Sequence, residues 1–140
     1  MFVPQIPLLP NRRRRHRRLL SRKGPARAWL RDRGIPDEAI AHFQLGIESK
    51  RIGDRKLWAI AIPIPASKGQ YHRKLRIAPW VPADQLPADY QPWSQYGVLA
   101  TVFFTHKPKA AQQTYLCEGE WDAMSLGWQS TSMPAQSANF

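Results

Sequence analysis

The sequence predicts a mixed α/β fold. An α+β segment comes first, and a strand–turn–helix unit of the open α/β kind follows, with its sheet incomplete at the carboxyl end. Three observations carry this. Two short helical segments, each opened by a proline, precede residue 47. An apolar run and an alternating run flank a Gly-containing turn between residues 57 and 78. YLCEGEWDAMSL, residues 115–126, reads as a strand, a tight turn and a helix.

Residues 1–23 are expected to form an extended, solvated basic arm, because three prolines and then mutually repelling arginines oppose a packed helix. Pro25 suits a helix first turn, and ARAWLRDR runs to a stop at Gly34. Pro36 and Asp37 open a second helix, with Ile40 and Phe43 on one face and an end near Gly46. LWAIAIPI at 57–64 is an apolar strand, ASKG at 66–69 a turn, and QYHRKLRIA at 70–78 an alternating strand. There Tyr71, Arg73, Leu75 and Ile77 share one side, while His72, Lys74 and Arg76 form a cationic stripe on the other. Residues 79–96, with four prolines, are expected to be a long surface loop. VLATVFF at 98–104 and TYLCE at 114–118 read as further strands, and EWDAMSLGW at 120–128 as a helix. The divisions that follow are an arm at 1–23, an α+β subdomain at 24–110, and a second unit starting at 111.

The formal charge is +11, from 21 basic and 10 acidic residues, and it is unevenly placed. Residues 1–33 hold 11 basic residues and one acid, a net +10; residues 34–140 hold 10 and 9, a net +1. The centre of the excess is Arg12, Arg13, Arg14, Arg15, Arg17 and Arg18, which reads as a nonspecific phosphate-binding tail or, more simply, as a solvated extension. The arginines follow the proline-broken MFVPQIPLLP, the reverse of a secretory signal. No apolar run approaches the roughly 20 residues of a membrane-spanning helix. The single Cys117 excludes an internal disulfide and any zinc site needing two cysteines of this chain, and a cytoplasmic location is expected.

The chemistry-bearing segment is the turn after TYLCE. Glu118 at a strand's carboxyl end, Gly119 in the turn and Asp122 in the first helical turn face the crevice where open α/β sheets bind ligands. Two carboxylates there suit a hard divalent cation, and equally suit the positive end of a helix dipole. Lys74 and Arg76, with Arg73 beside them, suit phosphate contact; equally, a charged edge strand discourages aggregation. Trp80, Tyr90, Trp93 and Tyr96 either stack on bases or pin their loop. The four histidines show no metal-ligand spacing.

LCEGEWDAMSL resembles the first motif of the Toprim domain, in which a hydrophobic strand ends in Glu-Gly and is followed by Asp on an apolar helix. Upstream, WLRDRGIPDEAIAHFQLGI at 29–47, AIPIP, SKGQ and the basic KLR at 74–76 are similar, in order, to the polymerase core of bacterial and phage-type DNA primases. The resemblance covers residues 26–128 and is nearest to primase–helicase versions, where Glu-Gly-Glu is common. It implies a nucleotidyltransferase that joins ribonucleotides on single-stranded DNA during replication. Mg²⁺ or Mn²⁺ would be the cofactor, and NTPs, single-stranded DNA and a replicative helicase the partners. On this resemblance Glu118 matches the acid/base and metal-binding glutamate, Asp122 its companion carboxylate, and Lys74 and Arg76 the residues holding template or triphosphate.

Two departures temper that expectation. The cysteine-rich zinc module common in primases is missing, and no Asp or Glu follows Asp122, where Toprim enzymes carry an Asp-x-Asp pair. The expectation is a truncated core, inactive alone as a polymerase, whose carboxyl-terminal part is frayed or needs a partner. The alternative from a different class is a non-catalytic nucleic-acid-binding protein using the arm and the basic strand.

Overall fold

The longest apolar run of the chain becomes its central strand. In the computed structural model, which describes residues 10–21, 24–65, 71–97, 105 and 115–132, β2 (Arg55–Pro65) lies between β1 (Gly46–Ile52) and β3 (Tyr71–Ile77). β4 (Trp93–Gly97) pairs with β3 and completes an antiparallel sheet in the order β1-β2-β3-β4. The fold is therefore mixed α/β, with one four-stranded antiparallel sheet among the described residues.

Strand alternation explains why this sheet buries both faces. Ile60, Ile62 and Ile64 of β2 join Ile47 of β1 in one apolar cluster, which the helices cover. Leu57, Ala59 and Ala61 point the opposite way and join Ile52, Leu75 and Ile77 in a second cluster. Val81, Leu86 and Tyr90, from the segment after β3, pack on that second face. The expected hairpin is present, with Ile62 opposite Lys74 and Ile60 opposite Arg76. Its turn at 66–69 and the expected strand at 98–104 lie outside the described residues.

The two short helices form where their prolines and glycine direct. α2 (Pro25–Asp32) has Pro at its start, buries Ala26 and Leu30, and stops in a Schellman turn. The Gly34 N–H reaches the Arg31 carbonyl at 2.9 Å and the Ile35 N–H the Leu30 carbonyl at 2.9 Å, with Gly34 at φ 78°. α3 (Asp37–His42) ends in the same way, earlier than expected, and here Gln44 rather than a glycine adopts the left-handed conformation, at φ 57°. Gly46 is needed elsewhere: a Cβ on it would lie 2.8 Å from Arg15 Cβ. That residue belongs to α1 (Pro10–Ser21), which lies against β1.

Over residues 10–21, the described part of the expected arm, α1 replaces the extended chain. Repulsion between its arginines is offset by contacts that the sequence does not display. Arg15 Nε pairs with Glu48 of β1 at 2.5 Å, His16 Nδ1 donates to the Leu45 carbonyl at 2.7 Å, and Leu19 is buried in the helix-covered core. Residues 79–96 also differ from the expected loop, since they contain a 3₁₀ turn at Ala83–Gln85 and most of β4. The strand expected at 114–118 does not form over its described residues. Tyr115 is 60% and Leu116 95% exposed, and no described strand lies beside them to take their backbone hydrogen bonds. α4 (Glu120–Ser132) then packs Trp121 and Met124 into the helix-covered core, so the helix expected there is present.

Two outcomes follow. Gly46→Ala forces its methyl into the Arg15 backbone. It should lower stability by about 1–3 kcal/mol and speed tryptic cleavage within α1, read by thermal unfolding and timed digestion. Asp37 accepts hydrogen bonds from Arg27, and from Arg31 at 2.8 Å, and these hold its carboxyl below the usual range. A depressed folded pKa gives stability that is present above the unfolded pKa and lost as pH falls through the folded one. Asp37→Asn should therefore cost about 1 kcal/mol at neutral pH, given solvent screening, and nothing in strong acid, in unfolding titrations across pH.

Candidate nucleic-acid interface and carboxylate turn

β3 carries its basic residues on both faces, and the two sets have different surroundings. Lys74 and Arg76 share the helix-covered face, because they stand opposite Ile62 and Ile60. Lys74 Nζ donates to both carboxylate oxygens of Glu120, at 2.9 and 3.1 Å, and the two side chains are only 22% and 16% exposed. Its ammonium also lies 4.4 Å from the centre of the Trp93 ring. Arg76 sits 5.6 Å from the same ring. Arg76 Nη1 donates to Tyr90 Oη at 2.9 Å, and that hydroxyl in turn donates to the Ile77 carbonyl at 2.6 Å. The cationic stripe is therefore half-buried, and both of its Lys/Arg side chains are engaged.

Aromatic rings continue the site inward. Trp93 stacks on Trp121 at 6.2 Å with planes 27° apart, and Trp121 meets the edge of Trp29 at 5.3 Å. The guanidinium of Arg33 caps the row, 4.7 Å from the Trp29 ring. α2, β4 and the first turn of α4 are thus joined by three tryptophans with cations at both ends.

Arg73 lies on the other face. It donates to Glu48 Oε1 at 2.9 Å, while Arg15 holds the second oxygen of that carboxylate. Tyr96 is flanked by Arg73 and Lys50, each 4.7 Å from its ring, and the Lys50 hydrogen bond to its hydroxyl lowers the phenol's pKa. Arg73 therefore does not join Lys74 and Arg76 in one patch. Of the arm residues, Arg12 and Arg13 are placed by backbone in α1, Arg15 is ion-paired, Arg18 lies 5.8 Å from the Trp58 ring, and Arg14 and Arg17 are exposed.

Glu118 and Asp122 are both exposed, on either side of the α4 amino terminus. Among the described residues no three His, Cys, Asp or Glu side chains gather closely enough to hold a metal ion. The intervening Glu120, the third carboxylate of the turn, is held by Lys74. Two solvated carboxylates with no third donor gathered beside them among the described residues do not fit a resident Mg²⁺ or Mn²⁺. His16 serves the α1 contact, and His42, whose pKa burial lowers, packs against Phe43 and Trp128.

No family model, curated protein or solved structure matches this chain.

Sequence reasoning singled out the outer carboxylates of the Glu-Gly-Glu-Trp-Asp turn and missed the central one. Its partner is 46 residues away, and only the paired strands bring the two together. The site thus separates its acids by role. Glu120→Gln should destabilise the fold by about 1–3 kcal/mol, because it leaves a half-buried lysine without its counter-charge. Glu118→Gln and Asp122→Asn should stay within about 0.5 kcal/mol of the parent in denaturant titrations, as exposed substitutions do.

Proposed function

We propose that this protein works in primer synthesis as a primase-type core whose own task is to hold single-stranded DNA and nucleotide phosphates. The observation that carries this reading is the Lys74–Glu120 ion pair beside Trp93. It fastens the Glu-Gly-Glu turn to the Lys-x-Arg strand, the two segments whose order resembles a Toprim primase. Their junction supplies what a polymerising site needs at its phosphate side: two cations, Lys74 and Arg76, on an aromatic surface, with Glu118 and Asp122 at its rim. Helix α2, the Gly34 turn and α3 precede the sheet in the order of that family.

The division of labour follows from the charges. Lys74 and Arg76 attract phosphate without reading sequence, and Trp93 offers a ring on which a base can stack. The neighbouring Glu120 holds the Lys74 ammonium beside Trp93 until a phosphate takes its place. Glu118, exposed and unpaired among the described residues, is the carboxylate suited to accept a proton from an attacking hydroxyl. Mg²⁺ or Mn²⁺ would come bound to the triphosphate rather than from a preformed protein cage. A cytoplasmic place beside a replicative helicase accords with this role.

A second reading, nucleic-acid binding with no catalysis, is favoured by the scarcity of metal donors among the described residues. Both require binding at Lys74 and Arg76, and primer synthesis is the measurement that separates them. The chain should bind a fluorescent oligothymidylate, and Lys74→Ala combined with Arg76→Ala should weaken that binding about tenfold in anisotropy titrations. Without further carboxylates it should make no primer from NTPs and Mg²⁺ on single-stranded DNA. Unchanged affinity in the double variant would remove the proposed phosphate site. Primer synthesis that Glu118→Gln abolishes would instead establish catalysis by this chain alone.

A further inference from the structure

A second concentration of like charge lies on α1 and the β1–β2 hairpin. α1 has no acidic residue in its first turn and carries arginines three and four positions apart, which repel each other and oppose the helix dipole. Its docking side is satisfied: Arg15 pairs with Glu48, His16 bonds the Leu45 carbonyl, and Leu19 is buried. Arg14 and Arg17 are exposed, with no ion-pair partner among the described residues. Nothing in the fold requires them.

The adjoining hairpin repeats the pattern. Arg51 of β1 stands directly opposite Lys56 of β2, both exposed, although like charges in cross-strand register destabilise a sheet. Trp58 joins the two elements, with Arg18 of α1 5.8 Å and Lys56 5.3 Å from its ring centre. Arg18 and Lys56 thus meet at Trp58, Arg51 stands opposite Lys56, and Arg14 and Arg17 lie on the same helix as Arg18, so α1 and the β1–β2 hairpin carry five cations on adjoining elements.

We infer that this ridge is a second, separate nucleic-acid surface that grips the phosphodiester backbone of the strand running away from the β3–α4 site. Ordered charges held at a cost in stability are explained by a polyanion that neutralises them, and a helix fixed on a sheet keeps them in place. The strand order sets the geometry. The ridge lies on α1 and the β1–β2 hairpin and the proposed phosphate site on β3 and β4; along β2, Lys56 is six residues from Ile62, the cross-strand partner of Lys74, or about 20 Å at about 3.3 Å per residue. A polynucleotide of several residues can touch both at once. The ridge contacts no base, and the inference rests on the β3–α4 site holding a nucleic acid, with or without catalysis there.

The test uses the full chain, a fluorescent oligothymidylate and a salt titration. Arg14→Gln with Arg17→Gln, and separately Arg51→Gln with Lys56→Gln, should each reduce the steepness of log affinity against log salt by about 1.4. Affinity should fall roughly twentyfold near 0.1 M salt, since single strands release about 0.7 counterion per phosphate contact. The melting temperature should hold or rise as repulsion is relieved. Lys74→Ala serves as the separate probe of the other site, and its effect should add to that of either pair. Unchanged salt slopes in both double variants would overturn the inference. So would a fall in melting temperature, which would make the charges structural, or binding of phosphatidylserine vesicles without binding of the oligonucleotide.

Discussion

One ion pair decides what the helix-covered side of this protein can do. Lys74 is a charged residue on the face of the sheet that also carries Ile60, Ile62 and Ile64, and such a position is tolerable only with a counter-charge. Glu120 provides it from the first residue of α4, with both oxygens on one ammonium. The consequences spread outward. α4 is held by its amino terminus, Trp121 is brought onto Trp93 and Trp29, and Met124 enters the core beside them. The carboxylate turn is thereby fixed beside the basic strand even though residues 115–117 form no strand of their own.

The opposite face works by a different balance. Its apolar cluster is built from small and medium side chains, Ala59 and Ala61 among them, and is covered by the segment after β3. Toward β1 the apolar cover gives way to charge, with Glu48 shared between Arg15 and Arg73 and Tyr96 between Lys50 and Arg73. A single glutamate therefore ties the amino-terminal helix to both the first and the third strand. The two faces of one sheet thus hold two basic elements by the same device, one carboxylate each, and leave outward-facing cations available to a polyanion.

Much of the scaffold was legible in the sequence, for local reasons. Pro25 and Gly34 bracket α2 because proline fits a first turn and glycine the left-handed cap. The alternation of QYHRKLRIA placed Arg73, Leu75 and Ile77 on one face and His72, Lys74 and Arg76 on the other, because strand period is independent of what covers the sheet. What escaped was nonlocal. The arginine run promised repulsion, and only the tertiary partners Glu48 and the Leu45 carbonyl make α1 a docked helix. Gly46 looked like a helix stop and is instead the point where two backbones approach. Residues 115–117 of TYLCE had strand composition, and no described strand lies beside them to pair with. Glu120 drew no notice beside Glu118 and Asp122, since nothing near it in sequence points to Lys74.

The coupling between Lys74 and Glu120 is the most direct measure of this account, obtained from a double-mutant cycle with Lys74→Met and Glu120→Gln in denaturant unfolding. A partly buried pair that fastens α4 to the sheet should show a coupling of about 1–2 kcal/mol. Amide protection in α4 should fall in each single variant and recover in part when both are present. Additivity within about 0.3 kcal/mol, with protection of α4 unaltered, would mean that the pair forms without holding anything together.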